Sequence, residues 1–217
     1  MNAASPVFDA VHIRDLGLAE YLPTWQAMRD FTQRRTPATP DEIWYLQHPS
    51  VFTLGLNGKP EHLLHPGDIP VVNIDRGGQV TYHGPGQLVV YLLLDLHRQH
   101  SGVKLLVQQM EQAVIDVLAD YQLKGERIAG APGIYINGSK IAALGLRIRR
   151  GLSYHGLALN VNMDLSPFRR INPCGYADMP VTQLADLLGN DSPTLAQVQH
   201  RLHQHLLKQL GYNGAHE

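Results

Sequence analysis

The chain has 217 residues, of which 44% are hydrophobic and 17% charged, and its formal net charge is −1 with histidines counted as neutral. This composition excludes a disordered chain, and the balanced charge argues against nucleic acid as the main partner. No apolar run is long enough to predict a membrane-spanning helix, and the first residues do not resemble a secretion signal. Cys174 is the single cysteine, so no internal disulfide can form, which favours a cytoplasmic protein.

Periodicity in the first half of the chain predicts one helix and a series of strands. Apolar positions recur at helical spacing over 18–31 and predict a helix that begins near Pro23. Short runs rich in β-branched and aromatic residues predict strands over 43–46, 50–54, 71–75, 79–83 and 88–96. The last of these is continuously apolar, so we expect a central strand that is covered on both faces.

The second half adds a long helix over 103–121 and a hairpin whose strands, 134–136 and 139–148, flank Asn137-Gly138. A strand over 154–162, a loop over 164–180 and a short helix over 182–188 follow. Ser192 and Pro193 predict the N-cap and first turn of a last helix that ends at Gly211. Residues 1–7 and 212–217 are expected to be loose ends. This order predicts one domain over 1–217, of α/β (α+β) class.

A glycine-rich segment over 76–87, RGGQVTYHGPGQ, is the first candidate for a binding site. Its four glycines let the backbone approach a ligand closely, and free amides there can bind a carbonyl oxygen or a phosphate. The alternative is a tight turn whose glycines serve geometry alone. The segment is not a phosphate-binding Walker loop, because no Gly-Lys-Ser/Thr follows it.

Lys140 is the second candidate. Alternation along the predicted strand 139–148 puts Lys140 on the apolar face that it shares with Ala142 and Leu144, which is expected to face the core. Burial disfavours a charged amine unless an anion lies nearby. The alternative is a lysine at the strand edge whose amine extends into water.

Cys174 is the third candidate, and it lies in the predicted loop between Pro173 and Gly175. Pro173 restricts the backbone conformation before the thiol, and Gly175 allows a wide range of backbone conformations after it. This arrangement favours an accessible thiol that can act as a nucleophile. An ammonium group nearby would favour the reactive thiolate. The alternative is an inert cysteine that packs as a small hydrophobic residue.

His155 precedes a strand of small residues that would leave room for an acyl chain. The alternative interpretation is a core or edge histidine whose hydrogen bonds are satisfied. No His-Glu-x-x-His or comparable spacing occurs, so no metal site is predicted.

Four strings occur in one order: 76–87 (RGGQVTYHGPGQ), 138–145 (GSKIAALG), 155–162 (HGLALNVN) and 173–175 (PCG). Each string is weak alone, but together they closely resemble the octanoyltransferases of lipoate biosynthesis, over about 43–184. The resemblance implies a mixed central sheet flanked by helices, with a smaller sheet, related to the catalytic domains of lipoate ligases and biotin protein ligases.

The resemblance also implies roles for individual residues. Cys174 is expected to carry the acyl group as a thioester, and Lys140 to tune or deprotonate the reacting groups. The expected acyl-binding residues are Arg76, Gly77, Gly78, Gln79, Val80, Thr81, Tyr82, His83, Ala143, Leu144, Gly145, Gly156, Leu157 and Ala158. No cofactor is implied, because the acyl group arrives on the phosphopantetheine of acyl carrier protein.

The implied reaction moves octanoyl from octanoyl-acyl carrier protein to a lysine of a lipoyl domain of a 2-oxoacid dehydrogenase E2 subunit or of the glycine cleavage H protein. A monomer is expected. Two alternatives stay open: an ATP-dependent lipoate or biotin ligase on the same fold, and a non-enzymatic module that binds acylated carriers. A thioesterase that releases free octanoate is a third.

Overall fold

The structure is a computed structural model that describes residues 11–99, 101–172, 179–212 and 215–216. The strands in this part of the chain are β1 (Val11–Leu18), β2 (Asp41–Gln47), β3 (Val51–Leu54), β4 (Val71–Asn73), β5 (Val80–His83), β6 (Gln87–Leu93), β7 (Glu126–Ile128), β8 (Ala131–Ile136), β9 (Ser139–Arg149), β10 (Leu152–Asn160) and β11 (Ala215–His216). The α-helices are α1 (Tyr21–Arg34), α2 (Val103–Asp120), α3 (Leu184–Leu188) and α4 (Leu195–Leu210).

Eight of the described strands form a mixed sheet in the order β11-β1-β2-β6-β10-β9-β8-β7. Strand β1 runs parallel to both of its neighbours, whereas β2, β6, β10, β9 and β8 pair antiparallel in succession. Strands β4, β3 and β5 form a separate small sheet. The predicted α/β class, with a large mixed sheet and a smaller one, is therefore confirmed.

Strand β6 is buried on both faces, as its continuous apolar sequence predicts. Leu88, Val90 and Leu92 point toward α2 and α4 and belong to the largest core cluster. Val89 and Tyr91 point to the opposite face, which α1 covers. The small sheet has its own apolar cluster and lies over the part of this second face that α1 leaves free.

The chain ends differ from the prediction. Strand β1 fills residues that the periodicity did not mark, and the first helix begins at Tyr21, so Pro23 falls within its first turn, where a missing N–H is tolerated. Strand β11 pairs with β1, so part of 212–217 is not loose.

The last helix also begins later than predicted. Its N-cap is Thr194, not Ser192, and the Thr194 hydroxyl accepts from the Gln197 amide while the Gln197 side chain accepts from the Thr194 amide. This reciprocal pair is a capping box, and it satisfies two amides at the helix start. Within the described residues, none of the helices has the length and apolar character needed to cross a bilayer.

Candidate active site

A cleft with about 760 Å³ of empty space, its open mouth included, lies between the small sheet and the large sheet. The predicted site residues that line it are Arg76, Gly78, Gln79, Val80, Thr81, His83, Lys140, Ala143, Leu144, Gly145, Gly156, Leu157 and Ala158. The structure therefore brings together residues that are far apart in sequence.

The floor of the cleft consists of small residues on two adjacent strands. Ala143 pairs with Ala158, and Gly145 pairs with Gly156, so the two pairs form successive rows on the same face. Leu144 and Leu157 alternate with them and pack into the main core on the other face. Their contribution to the cleft is therefore made by backbone atoms.

Two residues of the predicted binding segment do not line the cleft. Tyr82 alternates with Thr81 and His83 along β5, so its ring turns into the core of the small sheet and its hydroxyl lies 2.9 Å from the Ser50 hydroxyl. The Gly77 amide donates to the Leu146 carbonyl at 2.8 Å. That amide is therefore occupied and does not face a ligand.

Lys140 is buried, with 4% of its surface exposed, but it is on the opposite face from the one predicted. Ile134 pairs with Ala142 and Tyr135 pairs with Lys140, so Ile141 is an extra residue in β9. This bulge puts Ile141 and Ala142 on the core face together and reverses the alternation before them. The prediction that Lys140 shares a face with Ala142 was therefore wrong, and the Lys140 side chain lines the cleft instead.

The amine of Lys140 is held at the β8 side of the cleft. Its Nζ donates to the Pro132 carbonyl at 3.3 Å and lies 5.2 Å from the centroid of the Tyr135 ring. A Cβ on Gly133 would come within 3.4 Å of the same Nζ, so the glycine leaves room for the amine. Burial, the Pro132 carbonyl and the Tyr135 ring together hold the amine in this position.

The chain segment 179–182 runs beside Lys140. The Lys140 amide donates to the Pro180 carbonyl at 2.8 Å, and the Thr182 amide donates to the Lys140 carbonyl at 2.9 Å. The predicted nucleophile Cys174 lies outside the described residues. Residues 179–182, which come a few positions after the Pro173-Cys174-Gly175 motif in the sequence, therefore lie beside the Lys140 backbone.

The far end of the cleft is formed by a group of buried polar side chains that we call the polar wall: Tyr21, Arg76, Tyr91 and His155. Arg76 donates from Nη2 to both the carbonyl and the hydroxyl of Thr53 at 2.9 Å, and from Nη1 to the Gly77 carbonyl. These bonds hold the guanidinium in place over the floor.

His48 supports Tyr91 from behind. Its Nδ1 lies 2.6 Å from the Ala19 carbonyl and its Nε2 lies 2.7 Å from the Tyr91 hydroxyl. Because a carbonyl can only accept, Nδ1 carries the proton and the tyrosine donates to Nε2. Burial lowers the pKa of His48 to about 4, so the ring is neutral near pH 7.

His155 lines the cleft, and its hydrogen bonds are only partly satisfied, unlike those of the core or edge histidine in the alternative interpretation. Its Nε2 pairs with a carboxylate, whereas its buried Nδ1 has no hydrogen-bond partner among the described residues. His155 has a positive φ of 62° and directly precedes Gly156. Its Nε2 lies 3.1 Å from Asp75 Oδ1. Burial would raise the pKa of Asp75, but hydrogen bonds from His155, Tyr154 and Trp25 outweigh it and hold that pKa well below the usual value. Burial lowers the pKa of His155, which keeps the imidazole neutral.

A chain of amide hydrogen bonds fixes the tautomer of His83. The Thr182 carbonyl can only accept, so Asn160 donates from Nδ2 and accepts at Oδ1 from Gln87. Gln87 Oε1 then accepts from His83 Nδ1 at 2.7 Å. Burial, followed by the nearby His48, lowers the pKa of His83 to about 3, so the ring is neutral.

Sequence reasoning missed Tyr21, His48, Asp75 and Tyr91, and it did not single out Gln87. They come from separate elements, and no local pattern joins them. Among the described residues, no group of three or more His, Cys, Asp or Glu side chains is arranged to hold a metal ion.

Solved structures with the same architecture include a lipoate-protein ligase and a biotin protein ligase. Lipoate-protein ligase A bound with ATP is 14% identical, with a TM-score of 0.75 over 97% of this chain and 90% of that chain. Biotin protein ligase from Aquifex aeolicus in complex with biotin and ATP is 11% identical, with a TM-score of 0.55 over 94% and 71%. At these identities the likeness shows the fold, which is that of the lipoate and biotin protein ligases.

The model of the lipoyl protein ligase A/B catalytic domain matches residues 20–207, and the chain belongs to this family. An octanoyltransferase from Stutzerimonas stutzeri (strain A1501) is 60% identical over 93% of this chain and 91% of its own length. The octanoyltransferase of Nitrosococcus oceani is 58% identical over 94% and 91%. Relatives of this similarity make the chain an acyltransferase.

Proposed function

We propose that the chain transfers an octanoyl group from octanoyl-acyl carrier protein to a lysine of a lipoyl domain or of the glycine cleavage H protein, through a thioester on Cys174. The observation that carries this proposal is the position of Lys140. It is buried in a cleft with an apolar floor, directly beside the chain that follows the cysteine motif. The similarity to octanoyltransferases over more than nine-tenths of the chain supports the acyl group named.

The first step exchanges one thioester for another. The Cys174 thiolate attacks the acyl carbonyl, the bond to the phosphopantetheine sulfur breaks, and that sulfur leaves as a thiol with a proton from the Lys140 ammonium, which becomes a neutral amine. Because a thioester is formed as another is broken, the step has little net free-energy change. The acyl group therefore stays activated and needs no ATP.

The second step forms an amide. The neutral amine of the acceptor lysine attacks the Cys174 thioester, the carbon–sulfur bond breaks, and the amine loses a proton. Lys140 has a role in both steps: its ammonium stabilises the thiolate, and its neutral amine accepts the proton from the incoming lysine. The floor formed by Ala143 and Ala158 leaves room for the hydrocarbon tail.

The proposal is tested by mixing the chain with octanoyl-acyl carrier protein and an isolated lipoyl domain in the absence of ATP. We expect one octanoyl group on the acceptor lysine, measured by mass spectrometry of the domain. Cys174→Ser should lower the transfer rate by at least about 10³-fold, because the thioester can no longer form.

The outcomes separate the proposal from its alternatives. Transfer that requires ATP and survives Cys174→Ser would identify a ligase instead. Release of free octanoate without an acceptor would identify a thioesterase, and binding of the carrier without acylation of either protein would identify a binding module.

A further inference from the structure

Glu111 is a charged residue on the side of α2 that packs against the core. It falls at helical spacing with Val107, Val114 and Leu118, and it is 7% exposed. A hydrocarbon side chain would be buried more favourably at this position, because a carboxylate leaves water at a cost in free energy unless it gains partners. The partners of Glu111 therefore indicate what the carboxylate does there.

The two carboxylate oxygens of Glu111 have different partners. Its Oε2 accepts from Arg127 Nε at 2.9 Å, and Arg127 also donates to the Gln108 carbonyl and the Gln112 side chain of α2. Its Oε1 accepts from the buried Gly133 amide of β8 at 3.5 Å. The Arg127 side chain is 41% exposed, so the ion pair lies at the surface. The contact with Gly133 is thus the one that reaches into the protein.

The Gly133 amide belongs to the same peptide unit as the Pro132 carbonyl, which accepts from Lys140 Nζ at 3.3 Å. In a planar trans peptide the N–H and C=O bonds point in opposite directions. Glu111 and Lys140 therefore contact opposite sides of one peptide unit. The carboxylate lies at the positive end of the peptide dipole and the amine at the negative end. Both contacts favour the same orientation of this peptide.

The backbone at Gly133 permits this arrangement but does not fix it. Its φ is 137°, and a Cβ there would lie 2.7 Å from the Ala142 carbonyl and 3.0 Å from Lys140 Cε. Only glycine fits so close to the lysine, and glycine has wide conformational freedom. A contact from outside the strand is therefore needed to hold the peptide in one orientation, and Glu111 provides it.

Strand pairing is irregular at the same point. Glu126 pairs with Tyr135 and Ile128 pairs with Ala131, so the register of β7 against β8 shifts beside Gly133. An interrupted ladder constrains the backbone less than a regular one does. This irregularity increases the share of the constraint that falls on the side chain of Glu111.

We propose that Glu111 positions the Lys140 amine through the Pro132–Gly133 peptide. The carboxylate holds the Gly133 N–H, and the carbonyl of the same peptide then faces the cleft and accepts from Nζ. Glu111 does not line the cleft, so it is a positioning residue that acts through Lys140. Its effect on the reaction rate rests on the proposed function, in which Lys140 acts on the reacting groups.

Two variants of Glu111 test the effect on the rate. Glu111→Leu removes the acceptor of the Gly133 amide, and Glu111→Gln keeps an acceptor but removes the charge. In rapid-mixing experiments with octanoyl-acyl carrier protein, we expect the rate constant of acyl-enzyme formation to fall by about 10²-fold in Glu111→Leu, as misplacement of a catalytic group produces. In Glu111→Gln it should fall by about 10-fold, because the bond to a charged acceptor is the stronger one.

The burst amplitude and the half-saturating concentration of carrier protein should keep their wild-type values, because the folded fraction and the cleft lining are unchanged. A residue that serves stability alone would lower the amplitude and leave the rate constant as it is. Glu126→Gln makes the same substitution at an exposed position of β7 and is the matched control, which should keep the wild-type rate constant.

Crystal structures of the wild type and of Glu111→Leu provide a measurement that does not depend on activity. We expect the Pro132–Gly133 peptide to rotate in the variant and Lys140 Nζ to move out of hydrogen-bond distance of the Pro132 carbonyl. An amine that stays in place, or wild-type rate constants in both variants, would overturn the inference. If the wild-type chain forms no acyl-enzyme, the proposed function fails, and the two crystal structures alone decide the role of Glu111.

Discussion

The two faces of the large sheet differ in what they bury. The face under α2 and α4 is apolar, with Leu106, Met110 and Leu202 fully buried against the strands. The opposite face, between the sheet and α1 with the small sheet, buries Lys140 and Arg76. Strand β6 contributes to both faces through alternate residues.

This difference indicates a division of tasks across one sheet. Apolar burial contributes most of the favourable free energy of folding, and the helical face supplies it in quantity. The cleft face buries charged and polar groups, which is unfavourable unless each has a partner. The stability of the helical face therefore allows the cleft face to hold its polar groups in a fixed geometry.

The largest effect is expected at the cleft face. Lys140→Met removes the amine but keeps an unbranched side chain, so the acylation rate should fall by about 10²–10⁴-fold while the fold is retained. Lys104→Met, at an exposed position of α2, is the control and should leave the rate unchanged. Rapid-quench measurement of acyl-enzyme formation checks this. An unaltered rate in Lys140→Met would remove the lysine from the mechanism.

A substitution on the helical face should lower stability and leave the reaction rate unchanged. Leu202→Ala leaves a cavity between α4 and the sheet, so the free energy of unfolding should fall by about 2–5 kcal/mol. The rate per folded molecule should stay near the wild-type value, because Leu202 does not line the cleft. Urea unfolding and a transfer assay at low temperature measure the two quantities. A lower rate with unchanged stability would contradict the division between the faces.

A smaller effect is expected from acid, which should lower the free energy of unfolding through the buried histidines of the cleft face. Burial lowers the pKa of His48 to about 4 and that of His83 to about 3, against an ordinary value of 6.5. Between the pKa of a histidine in the folded protein and its pKa in the unfolded chain, the unfolded chain binds more protons than the folded protein. The free energy of unfolding is therefore highest above about pH 6.5, and it falls as the pH drops toward the pKa values of the folded protein. The loss at pH 5 is about 2 kcal/mol for each histidine.

Urea titrations at pH 7, 6 and 5 measure this loss. His48→Gln should flatten the dependence of unfolding free energy on pH, whereas His200→Gln, at an exposed position of α4, should not. A slope that is the same in His48→Gln and the wild type would show that His48 is not a source of acid sensitivity.

Much of the fold could be predicted from local pattern. The continuous apolar run predicted the central strand β6, and Asn137-Gly138 predicted the hairpin of β8 and β9. The start of α4 was misplaced although its signal was present, since Thr194 and Gln197 have the spacing of a capping box. Strand β1 lacks regular alternation of buried and exposed residues, so periodicity could not mark it.

The cleft was less predictable than the fold. The motif strings contained most of its lining residues, but they could not show that Tyr82 turns away or that the Gly77 amide is occupied. The face of Lys140 depends on the bulge at Ile141, which only the pairing with β8 reveals. The polar wall joins side chains from several elements, so its formation depends on tertiary structure alone.

The central claim is that Cys174 carries the acyl group. Intact-mass analysis of the chain after mixing with octanoyl-acyl carrier protein, followed by peptide mapping, tests it most directly. We predict one octanoyl group on the Cys174 peptide, which disappears when a lipoyl domain is added and appears on that domain. An unmodified Cys174 during continuing transfer to the domain would contradict the account.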